Sequence, residues 1–205
     1  MNKPLDKKPM SVALGVIGGS GAYDLLTNGG LGEKVNTVTL KTPFGESAPI
    51  HHFRAGNLHY LFLSRHGEID YSITAPFVNY RANIYALKEC GVERIISWSG
   101  PGIINTSFKP GDYILPSDII DETRNRETTF FKNSGIGFIR QGEPFCPQIK
   151  QVVHDSMHAL GFPHHDQAVY VCTEGPRLET PAEIKKFRLH GADLVGMTLA
   201  PETFL

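Results

Sequence analysis

Hydrophobic residues along this chain follow two rhythms that alternate. Short apolar runs predict buried strands at Val12–Ile17, Leu58–Leu63, Arg94–Trp98 and Ala168–Cys172, with brief ones at Tyr113–Leu115 and Leu194–Gly196. Other segments repeat at helical spacing. Phe77–Cys90 puts Val78, Ala82, Tyr85 and Ala86 on one face, and Gly91 stops it. Pro147–Leu160 aligns Ile149, Val152, Val153, Met157 and Leu160, and Gly161 closes it. Thr180–His190 has a full set of start signals: Thr180 as N-cap, Pro181 at the first helical position, and Glu183 to complete a capping box. Alternating strands and helices predict an α/β fold with a mostly parallel sheet. No repeat or low-complexity linker divides the chain, so one domain spanning 1–205 is expected. The segment 121–143 has no clear period, and a loop that long inside a compact domain is usually functional or disordered.

Composition narrows the functional classes. The 205 residues are 40% hydrophobic with a net charge of −1, which describes an ordinary globular protein with no basic excess for nucleic acid. Met1–Met10 is polar and Lys-rich and lacks an apolar core, so no signal peptide is expected. No apolar run is long enough for a membrane helix. Cys90, Cys146 and Cys172 are odd in number and far apart, which predicts reduced thiols in a cytoplasm. None has a Cys or His at zinc-ligand spacing, and each reads as a small buried hydrophobe rather than a nucleophile.

Candidate chemistry gathers where strands end. Ser20 follows the first strand in the turn Gly18-Gly19-Ser20-Gly21, which only glycines make easily. Arg65 and His66 follow the second, Ser99 and Gly100 another, and Thr198 the last. Three hydroxyls, a guanidinium, an imidazole and glycine-rich backbone N–H groups suit an oxyanion such as phosphate. Singly, each has a plainer role: Ser20 in a turn, His66 as a structural histidine, Thr198 as a cap. Thr173-Glu174-Gly175-Pro176-Arg177-Leu178-Glu179-Thr180 then places the carboxylate of Glu179 at a strand-to-helix turn, where open α/β sheets bind their ligands. The plain alternative there is that Glu179 only helps to cap the helix.

Two rival signals are weaker. Gly15-x-x-Gly18-Gly19-x-Gly21 loosely matches a dinucleotide fingerprint, but Val35–Thr42 lacks the acidic residue that such a site needs. His51-His52 and His164-His165-Asp166 have metal-binding side chains. Adjacent residues point apart, so solvated surface is expected for both.

Taken in order, the motifs resemble the methylthioadenosine phosphorylase branch of the purine nucleoside phosphorylase family. The matching pieces are Val16-Ile17-Gly18-Gly19-Ser20-Gly21, Thr42-Pro43-Phe44-Gly45, Arg65-His66-Gly67, Val78-Asn79-Tyr80-Arg81-Ala82-Asn83, Pro110-Gly111-Asp112, Glu143-Pro144-Phe145-Cys146-Pro147, Glu174-Gly175-Pro176-Arg177, and Gly196-Met197-Thr198 with Pro201-Glu202. Gly175-Pro176-Arg177-Leu178-Glu179-Thr180 is most similar to methylthioinosine phosphorylases and other 6-oxopurine enzymes. The resemblance implies an α/β fold around a mixed, partly barrel-like central sheet flanked by helices, and a cytoplasmic homotrimer serving purine salvage. It implies phosphorolysis of a purine nucleoside to free base and ribose 1-phosphate or its methylthio analogue. Phosphate is a co-substrate, and no metal or organic cofactor takes part. By the same resemblance Ser20, Arg65, His66, Ser99, Gly100 and Thr198 contact phosphate, Met197 lies beneath the ribose, and Leu178 and Glu179 face the base. Phe138 falls near the place of a histidine that methylthioadenosine phosphorylases contribute from a neighbouring subunit. The family continues past the position of Leu205 with a strand, an Asp or Asn that bonds the purine N7, and a helix. No catalytic residue is therefore assigned here, and the chain is expected to be incomplete at its C-terminus. The alternatives are a methylthioadenosine phosphorylase and, in another class, an inactive nucleoside- or phosphate-binding relative.

Overall fold

A computed structural model describes residues 12–69, 71–133, 135 and 138–205. They fall into two compact units, one ending at Ser99 and the other running Gly100–Leu205.

The first unit contains β1 (Leu14–Gly18), α1 (Ala22–Asn28), β2 (Glu33–Val38), the two-residue strands β3 (Lys41–Thr42) and β4 (Gly45–Glu46), β5 (Ile50–Ala55), β6 (Leu58–Ser64), a 3-10 turn at Ala75–Phe77, α2 (Tyr80–Glu89) and β7 (Arg94–Ser97). Five strands form one mixed sheet in the order β2-β5-β6-β1-β7. β1 lies between β6 and β7 and is parallel to both, whereas β2, β5 and β6 pair antiparallel. Burial follows from the alternation of side chains along a strand. Leu61 and Leu63 turn to a core shared with Ile17, Ile50, Ala86 and Leu87. Phe62, between them, turns to the opposite cluster with Ala22, Phe53 and Tyr60. All three β6 residues are fully buried, each contributing about 1.5–3 kcal/mol of apolar transfer. The helix predicted from Phe77 begins later, at Tyr80, because the Asn79 side chain accepts from the Ala82 N–H (3.2 Å) and fixes the cap there. The strand after α1 is an antiparallel edge strand, not the parallel neighbour of β1 that a dinucleotide fold requires.

The second unit contains β8 (Gly102–Ile103), β9 (Tyr113–Ile114), β10 (Asp118–Glu122), α3 (Pro147–Leu160), β11 (His164–His165), β12 (Val169–Thr173), α4 (Pro181–Leu189), β13 (Leu194–Gly196) and α5 (Leu199–Glu202). Its main sheet runs β10-β12-β13-β8, with only β8 antiparallel. Val171 faces a cluster with Ile104, Phe187 and Val195, while Tyr170 and Cys172 face Ala168, Leu194 and Ala200. The capping box at Thr180 forms as predicted: its hydroxyl accepts from the Glu183 N–H (3.3 Å) and Glu183 accepts from the Thr180 N–H (2.7 Å). The mixed α/β expectation therefore holds, and among the described residues the strands form open sheets.

Three expectations change. His51 is not solvated surface: it is buried on β5, with Thr37 Oγ1 at 2.8 Å and the Glu68 carboxylate as partners, because β5 is a core strand that apolar counting does not reveal. Cys90 and Cys172 are buried, but Cys146 is exposed ahead of α3. Burial pushes the Cys172 thiol up to about 11, so it is no nucleophile. α3 forms over its predicted span, yet its apolar stripe is only partly covered: Ile149, Val153 and Met157 are half-buried, while Val152 is 61% and Leu160 69% exposed.

Candidate functional site

In the first unit the parallel strands deliver their carboxyl ends side by side. Gly18 is in register with Ser64, and Ile17 with Ser97. The chain therefore leaves β1, β6 and β7 as three adjacent loops, Gly19-Ser20, Arg65-His66 and Trp98-Ser99. Gly19 sits where they converge. A Cβ there would lie 2.5 Å from the Trp98 carbonyl oxygen, 3.0 Å from Arg65 Nη1 and 3.4 Å from Ser99 Cα, so only glycine fits.

Arg65 spans the ends of all three strands. Its side chain is buried, its N–H donates to Gly18 O (3.2 Å), and its guanidinium donates to Trp98 O (2.9 Å) and Ser97 Oγ (2.5 Å). A buried cation needs such partners. It places a fixed positive charge beside the glycine-rich loop after β1. His66 is also buried, and both ring nitrogens are engaged inside its own loop. Nδ1 must carry the proton, because it faces the Ile73 carbonyl at 2.8 Å. Nε2 then accepts from the Tyr71 hydroxyl (3.1 Å), and the two rings stack at 4.2 Å. The imidazole thus braces the loop that carries Arg65. Ser20 is exposed and Ser99 half-buried.

In the second unit β12 and β13 also end together, with Cys172 in register with Gly196. Met197 is half-buried and Thr198 buried just beyond β13. Gly175 has φ +70°, and a Cβ there would lie 2.6 Å from Met197 Sδ. That glycine is what lets the loop after β12 close over the methionine. Glu179 is half-buried and does not turn outward: Thr173 Oγ1 donates to its Oε1 at 2.6 Å. Capping falls instead to Glu183, whose carboxyl is held down at about 2, first by Arg177 and then by the Thr180 N–H. Division of labour between two carboxylates frees Glu179 for another role. It lines a cavity of about 270 Å³ together with Arg124, Thr173, Glu174 and Arg177. A second cavity of about 670 Å³, bounded by Asp118, Phe131, Phe204 and Leu205 among others, contains no predicted site residue. Gly100 is exposed, Leu178 is 79% exposed and Phe138 fully so, and neither of these two side chains lines a described cavity.

Arg126 has no counterpart among the sequence candidates. Its side chain, only 2% exposed, donates from Nη1 to Met197 O and Ala200 O (2.6 Å each) and from Nη2 to Thr173 O (3.2 Å) and Glu174 O (2.5 Å). One guanidinium thus ties the loop after β12 to the loop after β13. Glu174 adds its carboxylate at 3.6 Å and accepts from the Arg124 N–H at 2.7 Å. Partial burial raises the Glu174 carboxyl, but the Arg124 and Asn125 amides and the Arg126 charge outweigh it and leave it below its ordinary value. The only sequence signal was the aperiodic loop that contains Arg126.

The Phosphorylase superfamily matches residues 13–205. A 6-oxopurine nucleoside phosphorylase of Pyrococcus furiosus is 42% identical over 199 residues, covering 94% of this chain and 72% of the relative. An S-methyl-5'-thioadenosine phosphorylase of Thermofilum pendens is also 42% identical, covering 95% and 72%. Among solved structures, methylthioadenosine phosphorylase from Schistosoma mansoni in complex with tubercidin superposes with a TM-score of 0.88 at 29% identity, covering 95% of this chain and 75% of that one.

Proposed function

The chain belongs to the phosphorylase superfamily, and from that premise we propose that it carries out phosphorolysis of purine nucleosides, with 6-oxopurines preferred. The observation that carries the preference is the position of Glu179, turned toward the end of β12 and held there by Thr173 rather than spent on the helix cap. The relatives leave base choice open, since the 6-oxopurine and methylthioadenosine enzymes quoted above are equally similar.

The chemistry follows from charge. A phosphate oxygen attacks C1′ of the ribose as the C–N glycosidic bond breaks and its electron pair passes to the purine. Positive charge develops on the sugar, so an anion fixed against it supplies much of the stabilisation. Arg65, with Ser20 and Ser99 on the flanking loops, has the donor chemistry to hold that anion, and His66 keeps the loop in place. Met197 is assigned to the ribose, Leu178 and Glu179 to the base. Ionised carboxylates only accept hydrogen bonds. Hypoxanthine and guanine offer N1–H, whereas adenine offers a lone pair, so Glu179 would face it unpaired. Inorganic phosphate is the only co-substrate required, and no metal or organic cofactor is assigned to the reaction. We also propose a cytoplasmic homotrimer, in which the full exposure of Phe138 fits a side chain given to a neighbouring subunit.

The test is the ratio of kcat/KM for inosine-type over adenosine-type substrates. A site built to pair N1–H rejects the unpaired base by up to about 10⁴-fold. Glu179→Gln can donate to adenine N1, so the ratio should narrow or reverse. Wild-type preference for adenosine-type substrates, or a ratio untouched by the substitution, would remove Glu179 as the base reader and favour methylthioadenosine.

A further inference from the structure

We propose that His154, His164 and Asp166 form a binding site for one borderline divalent cation, with Zn²⁺ as its best match. None of the three has a role in phosphorolysis above. The fold assembles them from two places. His164 lies on β11 and Asp166 two residues further on, so both face the same way, while His165 between them turns aside to Asp112 (2.9 Å). His154 comes from α3. Gly161, at φ +71°, caps that helix and turns the chain back so that β11 passes beside it. Adjacent histidines were poor ligands for each other, as their spacing implied. The i, i+2 pair plus a helix residue was not visible in the sequence.

Tautomers can be assigned from the partners. His164 Nδ1 lies 2.9 Å from the Phe162 carbonyl, which can only accept, so its proton sits on Nδ1 and Nε2 presents a lone pair. That Nε2 lies 3.3 Å from His154 Nδ1, and Asp166 Oδ1 lies 2.8 Å from the same atom. His154 Nδ1–H is therefore shared between two acceptors. Transfer of the His154 proton from Nδ1 to Nε2, the other neutral tautomer, leaves three lone pairs converging on one region. The three ligand atoms all lie within 4.8 Å of one another. Tetrahedral ligands about 2.0–2.1 Å from zinc stand about 3.3 Å apart, so the two pairs through His154 are near that spacing and the His164–Asp166 pair has to close on the ion. Two imidazoles and a carboxylate suit zinc and its neighbours in the transition series, and water completes the shell. The Phe162 carbonyl acts as the outer partner that orients a ligating histidine. Side chains of His154 and Asp166 are 34% and 43% exposed, enough to admit an ion from solvent. A bound ion would staple the middle of α3 to β11.

The experiment titrates chelator-treated protein with Zn²⁺ alone, read by calorimetry and by competition with a chromophoric chelator. One equivalent should bind. Affinity should fall at least about tenfold in His154→Ala and in His164→Ala. Asp166→Asn keeps the size and the contact with His154 while removing the anionic ligand, so it should show the same loss even if a histidine variant folds poorly. Zn²⁺ should raise the Tm of the wild type and not of these variants, since an ion bound only by the folded state stabilises it. His52→Ala/His59→Ala removes the pair on β5 and β6 (2.9 Å apart) and should change nothing. No binding to the wild type, binding unaltered in Asp166→Asn, or binding lost with His52 and His59 would overturn the assignment.

Discussion

Replacement of Arg126 by Met keeps much of the side chain's length and apolar bulk and removes every donor. Four backbone carbonyls lose a charged partner: Met197 and Ala200 at 2.6 Å, Glu174 at 2.5 Å and Thr173 at 3.2 Å. Hydrogen bonds to a charged group contribute about 1.5–3 kcal/mol each. Four counted independently would give about 6–12 kcal/mol, which overstates the loss, because the contacts share one side chain and water can reach carbonyls near a loop. Removal of a buried charge from its partners usually costs about 3–5 kcal/mol. For a chain of this size each kcal/mol lowers Tm by about 2–4 °C, so Arg126→Met should melt about 6–20 °C below wild type. Arg126→Lys keeps the charge but not the planar fork, and should fall between the two. Thermal denaturation followed by circular dichroism measures this, with kcat/KM taken at a temperature where both proteins are folded. Activity should drop as well, since Met197 and the loop carrying Glu179 both depend on the clamp. A Tm for Arg126→Met within about 2 °C of wild type would refute the clamp.

Two further predictions concern charge. Arg65→Lys leaves a cation but not the planar fork that reaches both Ser97 and Trp98, and phosphate affinity by calorimetry should fall at least about tenfold, or about 1.4 kcal/mol; unchanged affinity would contradict its role. Glu183 has its folded value held at about 2 against an ordinary 4.5, chiefly by Arg177. The folded value is the lower one, so its contribution is complete above about 4.5 and disappears as pH falls from there toward about 2. Amide exchange in the first turn of α4 should speed up across that window in wild type and show no such step in Glu183→Gln.

Elements that depend on their own residues were the legible ones. β6 and β12 are buried on both faces, so unbroken apolar runs mark them, and α4 announces itself through Thr180, Pro181 and Glu183. β2 was missed because its residues, Glu33–Val38, lie at a sheet edge with little to bury. β5 was missed because His51 takes a core position on the strength of partners, Thr37 and Glu68, that are distant in sequence. The strand-end candidates were found by residue type, yet their work differs in detail. Arg65 and Glu179 are each held at strand ends of their own unit, whereas the ring of His66 is spent within its own loop. Arg126 was signalled only by its aperiodic loop, and of the His154–His164–Asp166 cluster the sequence showed the His164-His165-Asp166 run but not His154, since each is completed by groups that only the fold brings together.

The most direct measurement is a phosphate-dependent turnover assay with inosine, guanosine, methylthioinosine and methylthioadenosine side by side, scoring free base and pentose 1-phosphate. Base and sugar phosphate should appear in equal amounts, only when phosphate is present, and faster from the 6-oxopurine substrates. Base released without phosphate, or no base released from any of the four, would contradict the assignment of this chain as a nucleoside phosphorylase.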